Sequence, residues 1–304
     1  MPIRSVLHLF DPSPHTSPFD INMAVDADFD VIVPHSNVNP DEIYRLVRDV
    51  IFSRGPKGVK KTAIFLGGRD LGLALDMLDT CRSAMVDPFQ VSVLADPSGA
   101  FTTAAALVAC VEDQLKEKHE SKLDGLRAVV FGGTGPVGIA TGVLASLNGA
   151  ETTIVDHLSI ETAMATADKY NGRCGARMRG TFAASEAEKA RLIAHADVIF
   201  CTAKAGIQVL DDSVLEDAQQ LKVAGDVNAV PPLGIEGLRR KHYGAPLDHA
   251  RNSPGAVGIG ALAIGDVKYK LQQRQLKMLL DEPGPLFLEF RKGFEQAREI
   301  LANR

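Results

Sequence analysis

Three glycines at fixed spacing, followed by an acid, are the residues of this sequence best placed to do chemistry. In VVFGGTGPVGIA (129–140) an apolar run ends at Gly133-x-Gly135-x-x-Gly138, and small residues follow. A strand that ends in such a turn and runs into a helix presents unpaired N–H groups and a partial positive charge to a pyrophosphate. The spacing assigns Gly133 to the tight turn, Gly135 to close approach of the backbone to phosphate, and Gly138 to packing of the helix on the strand. Thr134, Pro136 and Val137 complete the loop. Asp156 lies 18 residues beyond Gly138, at the end of the next predicted strand, ETTIVDH (151–157). A carboxylate there accepts hydrogen bonds from the adenosine ribose hydroxyls and repels a 2′-phosphate, which favours NAD over NADP as cofactor. His157 follows directly and softens that preference when protonated. No arginine lies within several residues.

Later strand ends line the same crevice in a parallel sheet. CTAKAG (201–206) and GDVNAVPP (225–232) fall there, so Thr202, Ala203 and Asn228 are expected to border the ribose and the nicotinamide. The remaining sequence lacks the usual proton-handling sets. No Tyr-x-x-x-Lys or HExxH occurs, and the eight histidines are scattered. The four cysteines lie far apart with no CxxC, which reads as reduced core residues and as no metal site. The absence of a base fits a reaction that moves only a hydride. A carbon between two nitrogens loses hydride to give an amidinium-like cation stabilised by both lone pairs. No proton has to leave, and the protein supplies alignment and electrostatics.

The elements that must hold these residues follow from periodicity. The chain has 304 residues, 45% hydrophobic and 23% charged, with a formal charge of −5. That size accommodates two domains or one large one, and no basic block asks for nucleic acid. The N-terminal apolar stretch is too short for a signal peptide, and no run is long enough to cross a membrane, so a cytoplasmic protein is expected. Strands are predicted at 5–10, 28–35, 61–68 and 89–96, alternating with helices at 39–55, 71–85 and 98–120. After a linker at 121–125, strands are predicted at 127–133, 151–157, 196–203 and 221–230, with helices at 135–149 and from residue 160. Two long C-terminal helices end near 280 and 302. The alternation predicts two α/β units with parallel sheets.

Several stretches together resemble the methylene-tetrahydromethanopterin dehydrogenases of methylotrophic bacteria. They are SPFDINMAVDA (17–27), AIFLGGRD (63–70), DPSGAFTTAAA (96–106), GGTGPVG (132–138), DVNAVPPLGI (226–235) and GAVGIGALAIGDVKYK (255–270). The resemblance implies an N-terminal α/β catalytic domain (1–122) and a C-terminal Rossmann dinucleotide-binding domain (123–265). It also implies a pterin-binding cleft between them and C-terminal helices (266–304) that pack back on the first domain. It implies hydride transfer from methylene-tetrahydromethanopterin to NAD or NADP in one-carbon oxidation, by a homo-oligomer that uses no metal.

Within that frame Asp20 is expected to bind the pterin's guanidine-like edge or tune the site's field, with helix capping as the competing role. Lys268 is expected to orient the substrate, or to discourage protonation of the nitrogen that pushes hydride out. A solvated helical lysine is the alternative, and Lys270 is the competing candidate. Thr102 and Thr103 line the cleft or cap a helix. Gly67 and Gly68 lie against the substrate or only turn the chain. Gly260, with Gly255, Gly258 and Gly265, lets its segment pass close to a ligand. The alternative readings are a methylene-tetrahydrofolate dehydrogenase, a shikimate-type dehydrogenase, or a non-catalytic nucleotide sensor. Arg48 stands where a cyclohydrolase-type YxxxK helix would need lysine, so dehydrogenation alone is expected.

Overall fold

A computed structural model describes residues 2–282 and 284–304. Along the chain the elements are β1 (Val6–Phe10), α1 (Pro18–Asp26), β2 (Val31–His35), α2 (Ile43–Phe52), α3 (Pro56–Val59), β3 (Thr62–Leu66), α4 (Leu71–Ala84) and β4 (Ser92–Ala95). They continue with α5 (Ala100–His119), β5 (Arg127–Phe131), α6 (Pro136–Leu147), β6 (Glu151–Asp156), α7 (Ile160–Cys174), β7 (Arg179–Phe182), α8 (Glu186–Ile193) and β8 (Val198–Cys201). The last are α9 (Asp212–Glu216), β9 (Val223–Asp226), β10 (Tyr243–Pro246), β11 (Val257–Ile259), α10 (Ala261–Asp281), β12 (Phe287–Leu288) and α11 (Phe290–Ala302). Among the described residues no helix is long and apolar enough to cross a membrane.

The chain forms two compact units, Met1–Thr102 with Tyr269–Gly293, and Thr103–Lys268 with Phe294–Arg304. The division falls inside α5 rather than at the charged linker after it. From residue 103 on, the apolar face of α5 serves the second sheet: a Cβ on Gly225 of β9 would lie 2.6 Å from Leu107 and 3.3 Å from Val111. At its end, the ring of His119 lies 3.0 Å from the Lys222 carbonyl.

The first unit has a five-stranded sheet in the order β12-β4-β3-β1-β2, parallel throughout. β3 and β4 are buried at every position, as the unbroken apolar runs of a covered parallel strand require. Leu7, Leu9, Ala63, Phe65 and Leu94 meet Met23 and Ala24 of α1 and Leu276 and Leu279 of α10 in one core. On α2, Ile43, Val47, Val50 and Ile51 are buried, and Leu46, expected on the same apolar face, is half-buried. Asp70 caps α4 by accepting the Leu73 amide at 2.7 Å.

One feature of this sheet is pH-sensitive. His8 on β1 and His35 on β2 put their ring nitrogens 3.1 Å apart. Burial, the neighbouring His35 and Arg54 together push the His8 pKa down to about 4. Burial lowers that of His35 as well. The folded state therefore disfavours the charged ring, while the unfolded chain protonates it near the ordinary value of about 6.5. The contribution is complete above that value and is lost as pH falls toward the folded pKa. Allowing for solvent screening at a half-buried site, stability is expected to drop by about 2 kcal/mol over this window. Urea unfolding across the window, with His8→Gln as the non-titrating control, measures it. An identical slope in the variant would assign the pH dependence elsewhere.

The second unit has a seven-stranded sheet in the order β10-β11-β9-β8-β5-β6-β7, parallel except for β10. Chain order reverses between β5 and β8, which creates a crevice at their carboxyl ends. Ser159 caps α7 and Ser185 forms a capping box with Glu188 on α8, while Gly175 ends α7 in the left-handed conformation. α11 is fastened in this unit by Arg298. Its guanidinium makes a forked ion pair with Glu112 at 2.5 and 2.6 Å and reaches the Asn148 side-chain carbonyl at 2.9 Å.

Candidate nucleotide site and neighbouring residues

The glycine loop joins β5 to α6 at the reversal point. The residue in the left-handed region is Gly132 (φ 69°), so the tight turn belongs to it and not to Gly133. A Cβ on Gly132 would also press within 2.8 Å of the Thr202–Ala203 backbone. Gly133 is required for space: its Cβ would lie 2.6 Å from Ile154 on β6. Gly138 is required for helix packing, because its Cβ would fall on the Gly132 carbonyl oxygen and 2.8 Å from Thr202 Oγ1. Gly135 alone has room, its nearest neighbour being the Gly132 oxygen at 3.4 Å. Gly135 is the α6 N-cap and supplies no side-chain acceptor, and Pro136 takes the first turn. The first-turn amides beside Val137 and Gly138 thus face outward without a side-chain cap, as an anion site needs.

Asp156 ends β6 beside this loop. Its Oδ2 accepts the Thr134 hydroxyl at 2.6 Å, and its Oδ1 accepts the amides of Leu158 (2.7 Å) and Ser159 (3.0 Å). Burial opposes the charge, but Thr134, the two amides and His157 outweigh it and hold the carboxyl below its ordinary range. Oδ1 is saturated, which leaves one acceptor position on Oδ2. The loop and the acid are therefore joined before any ribose arrives.

Thr202 and Asn228 are brought to the same end of the sheet, where each is engaged with the loops around it. The Thr202 hydroxyl donates to the Phe131 carbonyl at 2.8 Å and approaches that of Gly132 at 3.2 Å, tying β8 to the loop. The Asn228 side chain is buried. Its carbonyl accepts the amides of Gly206 and Val230, and its NH2 donates to the Pro232 carbonyl at 2.8 Å. It cross-links the loops after β8 and β9 and spends little capacity outward. Beneath it, buried Asp226 accepts the amides of Asn228 (2.9 Å), Gly234 (2.9 Å) and Ile235 (3.3 Å). Burial pushes the Asp226 carboxyl up, against the pull of these amides and of the Cys201 thiol. Asp226 is not among the residues that the sequence predicts for the site, although an acid two residues before Asn228 in GDVN is a recognisable Asx-turn signal.

In the first unit, Asp20 is buried and accepts the Gln272 side-chain amide at 3.1 Å. The capping role belongs to Ser17, which accepts the Asp20 amide. Thr102 is also buried, and its hydroxyl donates to Asp96 at 2.6 Å while Asp96 accepts the Phe101 and Thr102 amides. Thr102 is thus part of the α5 start, whereas Thr103 is partly exposed. Gly68 adopts φ 98° and its carbonyl accepts the Ser98 hydroxyl; Gly67 lies against Asp11, where a Cβ would come within 2.9 Å of Oδ2. Both glycines have local structural reasons. So does Gly260, whose Cβ would fall on the Arg239 carbonyl. Gly265 has open space around it. Lys268 is half-buried on α10, and Lys270 is exposed. All four cysteines are free and buried, and no cluster of metal-ligating side chains occurs among the described residues.

A parallel sheet with reversed strand order, a cramped glycine loop and an acid at the next strand end make the second unit a Rossmann-type dinucleotide-binding fold. Comparison with known proteins narrows this class. Residues 18–98 match the family described as methylene-tetrahydromethanopterin dehydrogenase, N-terminal. The chain is 41% identical over 297 residues to the NAD(P)-dependent methylenetetrahydromethanopterin dehydrogenase of Methylorubrum extorquens (strain AM1), covering 98% of this chain and 99% of that one. It is 31% identical over 288 residues to the Bifunctional protein MdtA of the same organism, covering 93% and 95%. The chain belongs to the methylenetetrahydromethanopterin dehydrogenase family.

Among solved structures, shikimate 5-dehydrogenase from Listeria monocytogenes, in complex with shikimate and NAD, aligns at TM-score 0.52 and 14% identity, covering 98% of this chain and 96% of that one. The 5-ketofructose reductase of Gluconobacter sp. strain CHM43 aligns at TM-score 0.51 and 16% identity, covering 98% and 99%. These likenesses are of fold alone, and the shikimate-type alternative keeps no more than that.

Proposed function

We propose that this protein oxidises methylene-tetrahydromethanopterin to methenyl-tetrahydromethanopterin, transferring hydride to NAD(P)+. The observation that carries the reading is 41% identity to an enzyme of that name along 98% of the chain. The cramped glycines, the uncapped α6 N-terminus and the held Asp156 fit a dinucleotide. Bound there, NAD(P)+ supplies the hydride acceptor. The chain's part is to hold it: α6 amides on the pyrophosphate, Asp156 Oδ2 on the ribose, and the Asn228-linked loops as a rigid border. Leaving hydride generates a cation on the pterin, so the site needs field and alignment more than a base. Asp20 and Lys268 are the groups proposed to act on the pterin. The reading carries with it a cytoplasmic homo-oligomer, which light scattering on the purified chain and cell fractionation check.

An absorbance assay at the reduced-nicotinamide band tests the proposal. Purified protein receives methylene-tetrahydromethanopterin or methylene-tetrahydrofolate, each with NAD+ or NADP+. Turnover is expected with the methanopterin substrate, and NAD+ is expected to be preferred. Silence in every combination, with nucleotide binding intact, overturns the reading.

The cofactor preference rests on Asp156, whose fixed negative charge opposes a 2′-phosphate. Asp156→Ala is expected to raise the NADP+/NAD+ ratio of kcat/KM by about tenfold, the worth of one charge-assisted contact. Equal ratios before and after would remove the ribose assignment. Lys268→Ala is expected to lower kcat at least tenfold while nucleotide affinity stays within twofold, as loss of an interaction in the transition state requires. An unchanged kcat would take Lys268 out of the site.

A further inference from the structure

The second unit has another concavity, at the opposite ends of its strands from the glycine loop. It has a volume of about 590 Å³ and is lined by the amino ends of β5, β6 and β7 and the end of α8. That is within the range of small-ligand sites. Arg127 and Arg179 come from β5 and β7 and Arg177 from the approach to β7, and all three line the cavity. Strand register puts Arg127 beside Glu151 and Arg179 beside Thr153, so these side chains belong to one sheet face.

None of the three guanidiniums is paired with a carboxylate among the described residues, although Glu151 is close by in register. The chain as a whole carries −5, yet this cavity gathers three arginines against one acid. The backbone that presents two of them is pinned. The Arg177 amide donates to Ser146 Oγ at 2.7 Å. The Asn171 side chain holds Met178 at both its amide (2.7 Å) and its carbonyl (2.8 Å). Leu147 and Leu192 add an apolar wall.

We propose that this cavity binds a small organic polyanion, with paired phosphate or carboxylate oxygens on Arg127, Arg177 and Arg179 and an apolar body on Leu147 and Leu192. Planar guanidiniums recognise such oxygens in a forked geometry, and three exposed cations gathered around one concavity raise the local concentration of an anionic ligand. The β5 strand separates the site from the glycine loop by about 13 Å, so both fill together.

Isothermal titration of the full chain tests this, with NAD+ saturating to cover the glycine loop and ionic strength matched. Inorganic pyrophosphate and citrate are the phosphate and carboxylate probes. At least one is expected to bind, and Arg177→Ala/Arg179→Ala is expected to weaken it about a hundredfold, roughly tenfold per charge-assisted contact. Arg127→Glu, on a different strand, is expected to weaken it at least tenfold and guards against a folding defect in the double variant. Absence of binding by both probes overturns the proposal, as does binding that survives in both variants, which would place the anion elsewhere.

Discussion

Replacing Gly138 by alanine is expected to abolish nucleotide binding and to destabilise the chain, whereas replacing Gly135 by alanine is expected to abolish binding alone. The difference follows from what each added methyl meets. On Gly138 it falls on the Gly132 carbonyl and presses on Gly133 and Thr202. Two of these neighbours are backbone, and the third is held by hydrogen bonds to the same loop. α6 has to move off β5, an overpacking cost of about 1–3 kcal/mol or more. On Gly135 the nearest atom lies at 3.4 Å, and the residue's φ of −78° suits alanine. The methyl there occupies space intended for phosphate. Titration with NAD+ and urea unfolding of both variants give the answer. Tight binding by Gly138→Ala, or unfolding of Gly135→Ala at much lower urea, would refute this division of roles.

Asp226→Ala is expected to cost about 3–5 kcal/mol, because a buried hydrogen-bonded carboxylate is removed and its donors stay behind. Three backbone amides, of Asn228, Gly234 and Ile235, lose their acceptor. Asp226→Asn is expected to do little better. Each carboxylate oxygen accepts at least one amide, so the NH2 of asparagine must face a donor whichever way it turns. With the loop released, Asn228 loses its fixed relation to Gly206, and NAD+ affinity is expected to fall at least tenfold. Urea unfolding and NAD+ titration of both variants check this. An asparagine variant within 1 kcal/mol of the parent would mean that water replaces the missing acceptor.

The sequence was most legible where one period governs a whole element. α4 is predicted at 71–85 and found at Leu71–Ala84; β6 is predicted at 151–157 and found at Glu151–Asp156. It was least legible where pairing decides. β12 has two residues and is a strand only because β4 lies beside it. β11, with a glycine at its centre, has no strand signature and is held by β9 and β10. β7 and the antiparallel β10 carry equally weak local signals, whereas the start of α8 is written in Ser185-x-x-Glu188. In the nucleotide site the glycine spacing located the loop and Asp156 together. The roles of Gly132, Thr202 and Asn228 depend on strands that meet only in the fold, as does the burial of Thr102 against Asp96. Spacing along the chain does not contain these distances.

The interleaved composition of the two units has a consequence for biosynthesis. The first sheet takes its edge strand from residues 287–288, and its core takes Leu276 and Leu279 from α10. The second unit takes its closing helix from residues 294–304. Neither unit is complete until nearly all of the chain has left the ribosome. At 5–20 residues per second, roughly ten seconds or more pass after the first sheet's main strands emerge, with β4 still an open edge. Edge protection during synthesis, and not only final packing, therefore falls on the last thirty or so residues, and ribosome-stalled chains that lack them are the forms in which aggregation should begin.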